Sequence, residues 1–200
     1  MRRILILFSG GADSSLMLLW AQKIRNTKVS ALLFNYGQKQ DEELTYAREI
    51  LKALKIGAVR LIELDISSAF QHTCSNQLEH SRDSLTSYPG VNKAHTPSRN
   101  AIFLSIAMSI AESLDFDEIW IGCNHSDRIN LFPDCTQEWI MAMGEVAKIN
   151  GHRPLTIKAP LLGLTKEDVL RTLEREGVNL KKIFSGYEPP KADNTAVDAS

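Results

Sequence analysis

Apolar residues fall in short blocks along the chain, and the period of the pattern changes from block to block. Ile4, Leu5, Ile6, Leu7 and Phe8 form an unbroken apolar run, as a strand covered on both faces of a parallel sheet requires. Residues 14–24 place Leu16, Leu19, Trp20 and Ile24 at spacings of three and four and predict a helix. Residues 29–34 predict a second strand. Residues 42–54 predict a helix with Leu44, Ala47, Leu51 and Leu54 on one face, and the alternating residues 59–64 a third strand. Residues 66–97 lose the period and are rich in Ser, His, Asn and Pro, so they read as a long excursion from the core. The helical spacing returns from Ser98 through Ile102, Ile106, Ile110 and Leu114, followed by a fourth strand at 119–121. A second excursion over 124–133 leads into a helix at about 134–149. A short strand at 155–158 precedes a helix at 165–176, for which Thr165 is the N-cap and Asp168 its capping-box partner.

Strand and helix patterns thus alternate, which predicts an α/β fold: a mostly parallel sheet with right-handed crossovers and helices on both faces. The expected organisation is one domain over 1–187, with excursions at about 66–97 and 124–135 and a flexible tail at 188–200. Ligands of such sheets collect beyond the carboxyl ends of the strands. The chemically unusual clusters lie there: 9–14 after strand one, 35–38 after strand two and 122–135 after strand four.

Composition narrows the function classes. Twenty-three Lys and Arg balance 24 Asp and Glu, so no global basic field exists for gripping nucleic acid, and nucleic acid is not expected as the direct substrate. No apolar stretch approaches the roughly 18 to 20 residues of a membrane span. The apolar run after Arg2 and Arg3 is short for a leader and meets Gly10-Gly11 at once, so it reads as a strand of a cytoplasmic protein. Cys74, Cys123 and Cys135 are odd in number and lack CxxC spacing, which points to neither a disulfide framework nor a zinc site.

The sharpest motif is Ser9-Gly10-Gly11-Ala12-Asp13-Ser14-Ser15, directly after a buried strand and opening a helix. Two glycines let the backbone approach a ligand closely. The free N–H groups at the helix start and the hydroxyls of Ser9, Ser14 and Ser15 make an anion site favoured by the helix dipole. It lacks the Gly-Lys-Ser/Thr ending of a Walker loop and is not GxGxxG.

Ser-Gly-Gly-x-Asp-Ser in this setting resembles the pyrophosphate loop of the N-type ATP pyrophosphatases, which have the adenine nucleotide alpha hydrolase-like fold. Four further stretches resemble the 7-cyano-7-deazaguanine (preQ0) synthase family: Asn35-Tyr36-Gly37-Gln38, Pro97-Ser98-Arg99-Asn100, Gly122 to Asp127, and Phe132-Pro133-Asp134-Cys135. The resemblance spans about residues 3–187.

The resemblance implies an ATP-dependent ligase that adenylates 7-carboxy-7-deazaguanine, exchanges AMP for ammonia to give an amide, and dehydrates the amide to the nitrile. Ser9, Gly10, Gly11, Asp13, Ser14 and Ser15 would then hold phosphates, with Asp13 near Mg2+ and the backbone of Leu33, Phe34 and Asn35 at the adenine. Gly37, Gln38 and Gly122 would complete the nucleotide site, and Arg99 and Lys166 would act on the phosphates or the acyl-adenylate. As a plain residue, Lys166 is equally a solvated first-turn lysine. Asn100, Asp127, Phe132, Pro133, Asp134 and Cys135 would bind the flat substrate, a carboxylate suiting a guanine-like N–H edge and Phe132 its ring. Simple packing explains Cys135 better than nucleophilic chemistry, since adenylation needs no thiol. The resemblance also implies a homodimer, for which Trp139, Ile140, Met143 and Val146 could line an interface or equally the core.

Three departures from the family pattern stand out. Asn35 replaces its usual aspartate and Ser98 its usual glycine. The family's C-terminal cysteines, which hold a structural zinc, have no counterpart after Cys135, so no zinc site is expected, although Tyr187 is retained. A zinc-free relative could stop at the amide or couple the acid to another amine. A non-catalytic nucleotide-binding relative would bind ATP without releasing pyrophosphate.

Overall fold

The computed structural model describes residues 1–38, 42–54, 59–73, 78, 95–129 and 132–180. Five strands, β1 (Arg2–Leu7), β2 (Thr27–Asn35), β3 (Arg60–Asp65), β4 (Glu118–Trp120) and β5 (Thr156–Lys158), form one sheet in the order β3-β2-β1-β4-β5. Every neighbouring pair is parallel, with Ile4 opposite both Val29 of β2 and Glu118 of β4. The expected α/β class is therefore the observed one. The chain order reverses between β1 and β4, which opens a crevice at their carboxyl ends.

Alternation along β1 divides the core. Ile4, Ile6 and Phe8 face one layer with α1 (Ala12–Lys23), α2 (Glu42–Ala53) and α6 (Lys166–Arg175). Leu5 and Leu7 face the other layer with α3 (Arg99–Ser113) and α5 (Gln137–Asn150). Ile4, Leu5 and Ile6 have no exposed surface at all, each burial stabilising the fold by about 1.5–3 kcal/mol. Within α5, Ile140 is buried and Trp139 and Met143 pack on the second layer, whereas Val146 is exposed. Trp139, Ile140 and Met143 therefore belong to the core, and Val146 lies on the surface.

Two segments read as excursions contain regular structure. Residues 124–133 hold a short helix, α4 (His125–Ile129), and a 3-10 turn follows at Pro133–Cys135. After β3 a 3-10 turn spans Ser67–Phe70, and Leu78 pairs antiparallel with Gln38. Most of the rest of the 66–97 excursion lies outside the described residues, as do Cys74, Tyr187 and the 188–200 tail.

Candidate functional site

The loop between β1 and α1 is built for close approach. Gly10 has φ 79°, and a Cβ there would sit 2.8 Å from the Ala47 Cα of α2. The loop is thus pressed against a helix by a residue that only glycine can be. Ser14 Oγ donates to the Gly11 carbonyl at 3.1 Å and accepts from the Ser9 N–H at 3.3 Å, while Ser9 Oγ accepts from the Gly11 N–H at 3.3 Å. These bonds brace the turn from within. Gly11 is the N-cap and offers no side-chain cap, so the first N–H groups of α1 are left for a ligand or water. Ser15 Oγ is buried and has no hydrogen-bond partner among the described residues. An uncapped helix start, a glycine cradle and an orphaned hydroxyl form a donor set that fits a polyphosphate.

Asp13 is where three segments meet. Its Oδ2 accepts from Lys166 Nζ at 2.5 Å and its Oδ1 from Asn124 Nδ2 at 3.0 Å. Lys166 opens α6, where a cation opposes the helix dipole. Pairing with Asp13 compensates for that placement and gives the first-turn lysine a role other than solvation. The Lys166 N–H also donates to Ser126 Oγ at 3.0 Å, and the His125 N–H to the Leu164 carbonyl at 2.8 Å. Gly122 lets the end of β4 close on α1, since a Cβ there would lie 3.4 Å from Asp13 Cβ and 3.2 Å from Met17 Cε. With its two neutralising and orienting partners, the partly exposed Asp13 carboxylate retains lone pairs that suit a phosphate-bound Mg2+.

Asp127 occupies the far side of this cluster. Its carboxylate accepts from the Asn124 N–H at 3.0 Å, and its own N–H donates to Asn124 Oδ1 at 3.1 Å. Burial pushes its pKa above the usual carboxylate value, and the Asp13 charge adds to this. The Asn124 N–H, Lys166 and Arg99 oppose the shift without cancelling it. The Asp127 carbonyl accepts from the Phe132 N–H at 3.2 Å, which ties α4 to the turn carrying Asp134 and Cys135. Asp134 and Cys135 are buried and Pro133 is exposed. Asn100 Nδ2 donates to Cys135 Sγ at 3.9 Å, and the Phe132 ring lies 6.4 Å from that of His95. Cys123 lies beside Cys135, and their mutual hydrogen bond together with burial raises the Cys123 thiol well above its usual value. A buried thiol such as that of Cys123 suits packing rather than nucleophilic attack.

Arg99 opens α3, with its guanidinium 5.7 Å above the Tyr36 ring and Nη1 donating to the Tyr36 hydroxyl at 3.4 Å. The remaining residues after β2 shape their own turn. Phe34 is buried and stacks on Phe103 at 4.4 Å, and Leu33 is buried in the opposite layer, so only their backbone is available to a ligand. Asn35 Oδ1 accepts from the Gly37 N–H at 3.2 Å and its Nδ2 donates to Asp65 at 2.9 Å. Gln38 is buried and its Oε1 accepts from the Tyr36 N–H at 3.0 Å. The structure therefore joins Asp13 and Lys166 directly and brings Gly122 and Asp127 to them. The side chains of Asn35 and Gln38 are turned to local hydrogen bonds.

Three residues escaped the sequence reading. Asn124 and Tyr36 each lie inside a stretch already singled out, so a polar residue between two chosen positions was the available signal. Thr96, whose buried Oγ1 has no hydrogen-bond partner among the described residues, precedes Pro97 and gave no signal at all.

A glycine-rich turn at the switch point of an all-parallel sheet defines the class as an α/β protein of the adenine nucleotide alpha hydrolase-like fold. The fold is shared with the U34-tRNA thiolase NcsA from Methanococcus maripaludis (TM-score 0.59, 15% identity, 96% of this chain and 61% of that one). It is also shared with a predicted subunit of tRNA methyltransferase from Methanocaldococcus jannaschii (TM-score 0.54, 17% identity, 94% and 93% of the two chains). Within that class the chain belongs to the family described as queuosine biosynthesis protein QueC, which matches residues 3–197. Similar relatives include the 7-cyano-7-deazaguanine synthases of Rickettsia canadensis (35% identity, 96% of this chain and 88% of that one) and Prochlorococcus marinus strain MIT 9215 (34%, 94% and 87%).

Proposed function

We propose that this chain makes 7-cyano-7-deazaguanine from 7-carboxy-7-deazaguanine and ammonia, using ATP to activate first the acid and then the amide. Family membership supplies the substrate class. The observation that carries the chemistry is the Asp13–Lys166 pair at the mouth of the Gly10-Gly11 cradle. A substrate carboxylate oxygen attacks the α-phosphorus and pyrophosphate leaves. Ammonia then attacks the acyl carbon, one N–H proton is lost, and AMP departs with the C–O bond. Repeating the activation on the amide oxygen, with loss of a second AMP and the nitrogen's remaining protons, gives the nitrile.

Ser9, Gly10, Gly11, Ser14 and Ser15 would hold the phosphates of this reading, and Asp13 would hold Mg2+, which would neutralise their charge. Lys166 and Arg99 meet the charge that builds on the α-phosphate, preorganised by Asp13 and by Tyr36 respectively. In this reading Asn100, Asp127, Phe132, Pro133, Asp134 and Cys135 meet the planar base. The protein's work is mostly positioning, since ammonia attacks readily once the acid is activated. A cytoplasmic homodimer completes the reading.

The test is mass spectrometry of protein, ATP, Mg2+, ammonium and 7-carboxy-7-deazaguanine, with AMP and pyrophosphate followed alongside. Nitrile is expected, with two AMP formed per product. Amide accumulating with one AMP would make this chain an amide synthase, and the absence of any AMP would overturn the enzymatic reading.

A further inference from the structure

We infer that Asn124 is the positioning residue of the phosphate site: its side-chain amide holds the Asp13 carboxylate in register with Lys166 and links that register to the Asp127 turn. The inference rests on the phosphate-site reading above and extends it to a residue that touches neither the cradle nor Lys166 in any described hydrogen bond.

The geometry is specific to an amide. Asn124 is 1% exposed, so its polar atoms must find partners within the protein. Nδ2 donates to Asp13 Oδ1 at 3.0 Å, Oδ1 accepts from the Asp127 N–H at 3.1 Å, and the backbone N–H donates to Asp127 Oδ2 at 3.0 Å. One end of the side chain must therefore be a donor and the other an acceptor. Serine or alanine cannot span both, and aspartate can supply only the acceptor end. A neutral donor also suits the task, because Lys166 already balances the Asp13 charge on the other oxygen. A second cation would reduce the negative potential that a phosphate-bound metal needs. The consequence reaches the substrate side, since the Asp127 carbonyl receives the Phe132 N–H at 3.2 Å at the start of the Pro133–Cys135 turn.

Aspartate is the discriminating substitution because it has nearly the shape of asparagine and keeps the bond from the Asp127 N–H. Asn124→Asp loses only the donor to Asp13 and places a like charge against it. A buried carboxylate costs stability wherever it lies, so the two variants are compared per folded molecule, where a residue that merely filled space would leave them equal. The inference predicts that AMP release per folded molecule by Asn124→Asp falls below that of Asn124→Ala by about 10-fold or more. The loss is expected in kcat, with KM for 7-carboxy-7-deazaguanine little changed.

A thermal double-mutant cycle gives a readout independent of turnover. Asn124→Asp lowers Tm, and adding Asp13→Asn, which returns an amide–carboxylate contact with its direction reversed, recovers most of that loss. Additive Tm changes, or Asn124→Asp as active as Asn124→Ala, would overturn the inference. If wild-type protein released no AMP, the proposed function would fall, while the thermal cycle would still decide whether Asn124 holds Asp13.

Discussion

At the amino ends of β1 and β4, Glu118 is surrounded by donors. Trp120 Nε1 and Lys158 Nζ donate to it at 2.7 and 2.9 Å, and Arg2 completes the set. At the carboxyl ends of the same strands, the Asp127 carboxylate accepts, among the described residues, one hydrogen bond from the Asn124 N–H, with the Asp13 charge nearby and an orphaned Ser15 hydroxyl in the first turn of α1. Burial acts against both carboxylates. Around Glu118 the bonds from Trp120, Lys158 and Arg2 outweigh it and hold the pKa below the usual value, whereas around Asp127 burial wins and the pKa rises. One end of the sheet satisfies its charge for stability. The other leaves donors and charge unmatched, as a site awaiting a charged ligand does.

The largest expected effect separates the two ends by activity. Asp13→Asn keeps an acceptor for Asn124 but removes the charge paired with Lys166, so AMP release should fall by about 10²- to 10³-fold. Tm should change little, because Asp127 loses a repelling neighbour while Lys166 loses the charge that offsets its place at the start of α6. A variant with near-normal turnover would remove Asp13 from the chemistry.

Glu118→Ala should do the opposite. It strands the buried Trp120 N–H and dissolves two ion pairs whose cations are partly exposed, a loss of about 2 kcal/mol, or roughly 4–8 °C for a chain of this size. AMP release per folded molecule should be unchanged. The pH dependence has a definite sign. The native pKa of Glu118 is lowered from an ordinary 4.5, so its contribution is complete above that value and is lost as pH falls through the lowered one. Melts of wild type and Glu118→Ala should therefore converge in acid; a constant Tm gap down to the lowest pH would contradict the assignment.

Asp127→Asn sharpens the contrast with the reverse sign. The native pKa of Asp127 is raised from an ordinary 3.8, so stability is complete below that value and is lost as pH rises through the raised one. Removing the charge should raise Tm at neutral pH, leave it unchanged below the ordinary value, and lower turnover. A neutral-pH Tm below that of wild type would show that the carboxylate is satisfied after all.

The same contrast explains what could be read from the chain. Buried strands announce themselves because Ile4 through Leu7 meet helices on both faces, and the capping box of Thr165 and Asp168 is local enough to be seen in four residues. The Ser9–Ser15 loop was legible because its chemistry is contiguous. Helix α1 was only half legible: Met17 and Leu18 are fully buried although the spacing singled out Leu16, Leu19, Trp20 and Ile24, because the sheet and α6 together cover more than one stripe. The Asn124–Asp13 bond joins residues 111 positions apart, and no local pattern encodes it. Gln38 sat in a motif and Phe34 was chosen for its backbone, and their side chains serve turn and core, because a pattern marks a position without saying which of its atoms is used.

The smallest expected effect lies at Ser98, which stands in the left-handed region at φ 55°, ψ 14° just before Arg99. Glycine is the residue that the family resemblance expects there, and the conformation gives the reason. A left-handed non-glycine residue costs about 1–2 kcal/mol. The Ser98 hydroxyl makes no capping bond to α3 that could offset this cost. Ser98→Gly relieves the strain but adds about 0.4–1 kcal/mol of unfolded-state entropy. The net gain should be about 0.5–1 kcal/mol, or roughly 1–4 °C in Tm. A drop in Tm would mean that the serine side chain contributes more than its backbone conformation costs, and would place this helix start with the satisfied end of the sheet rather than the strained one.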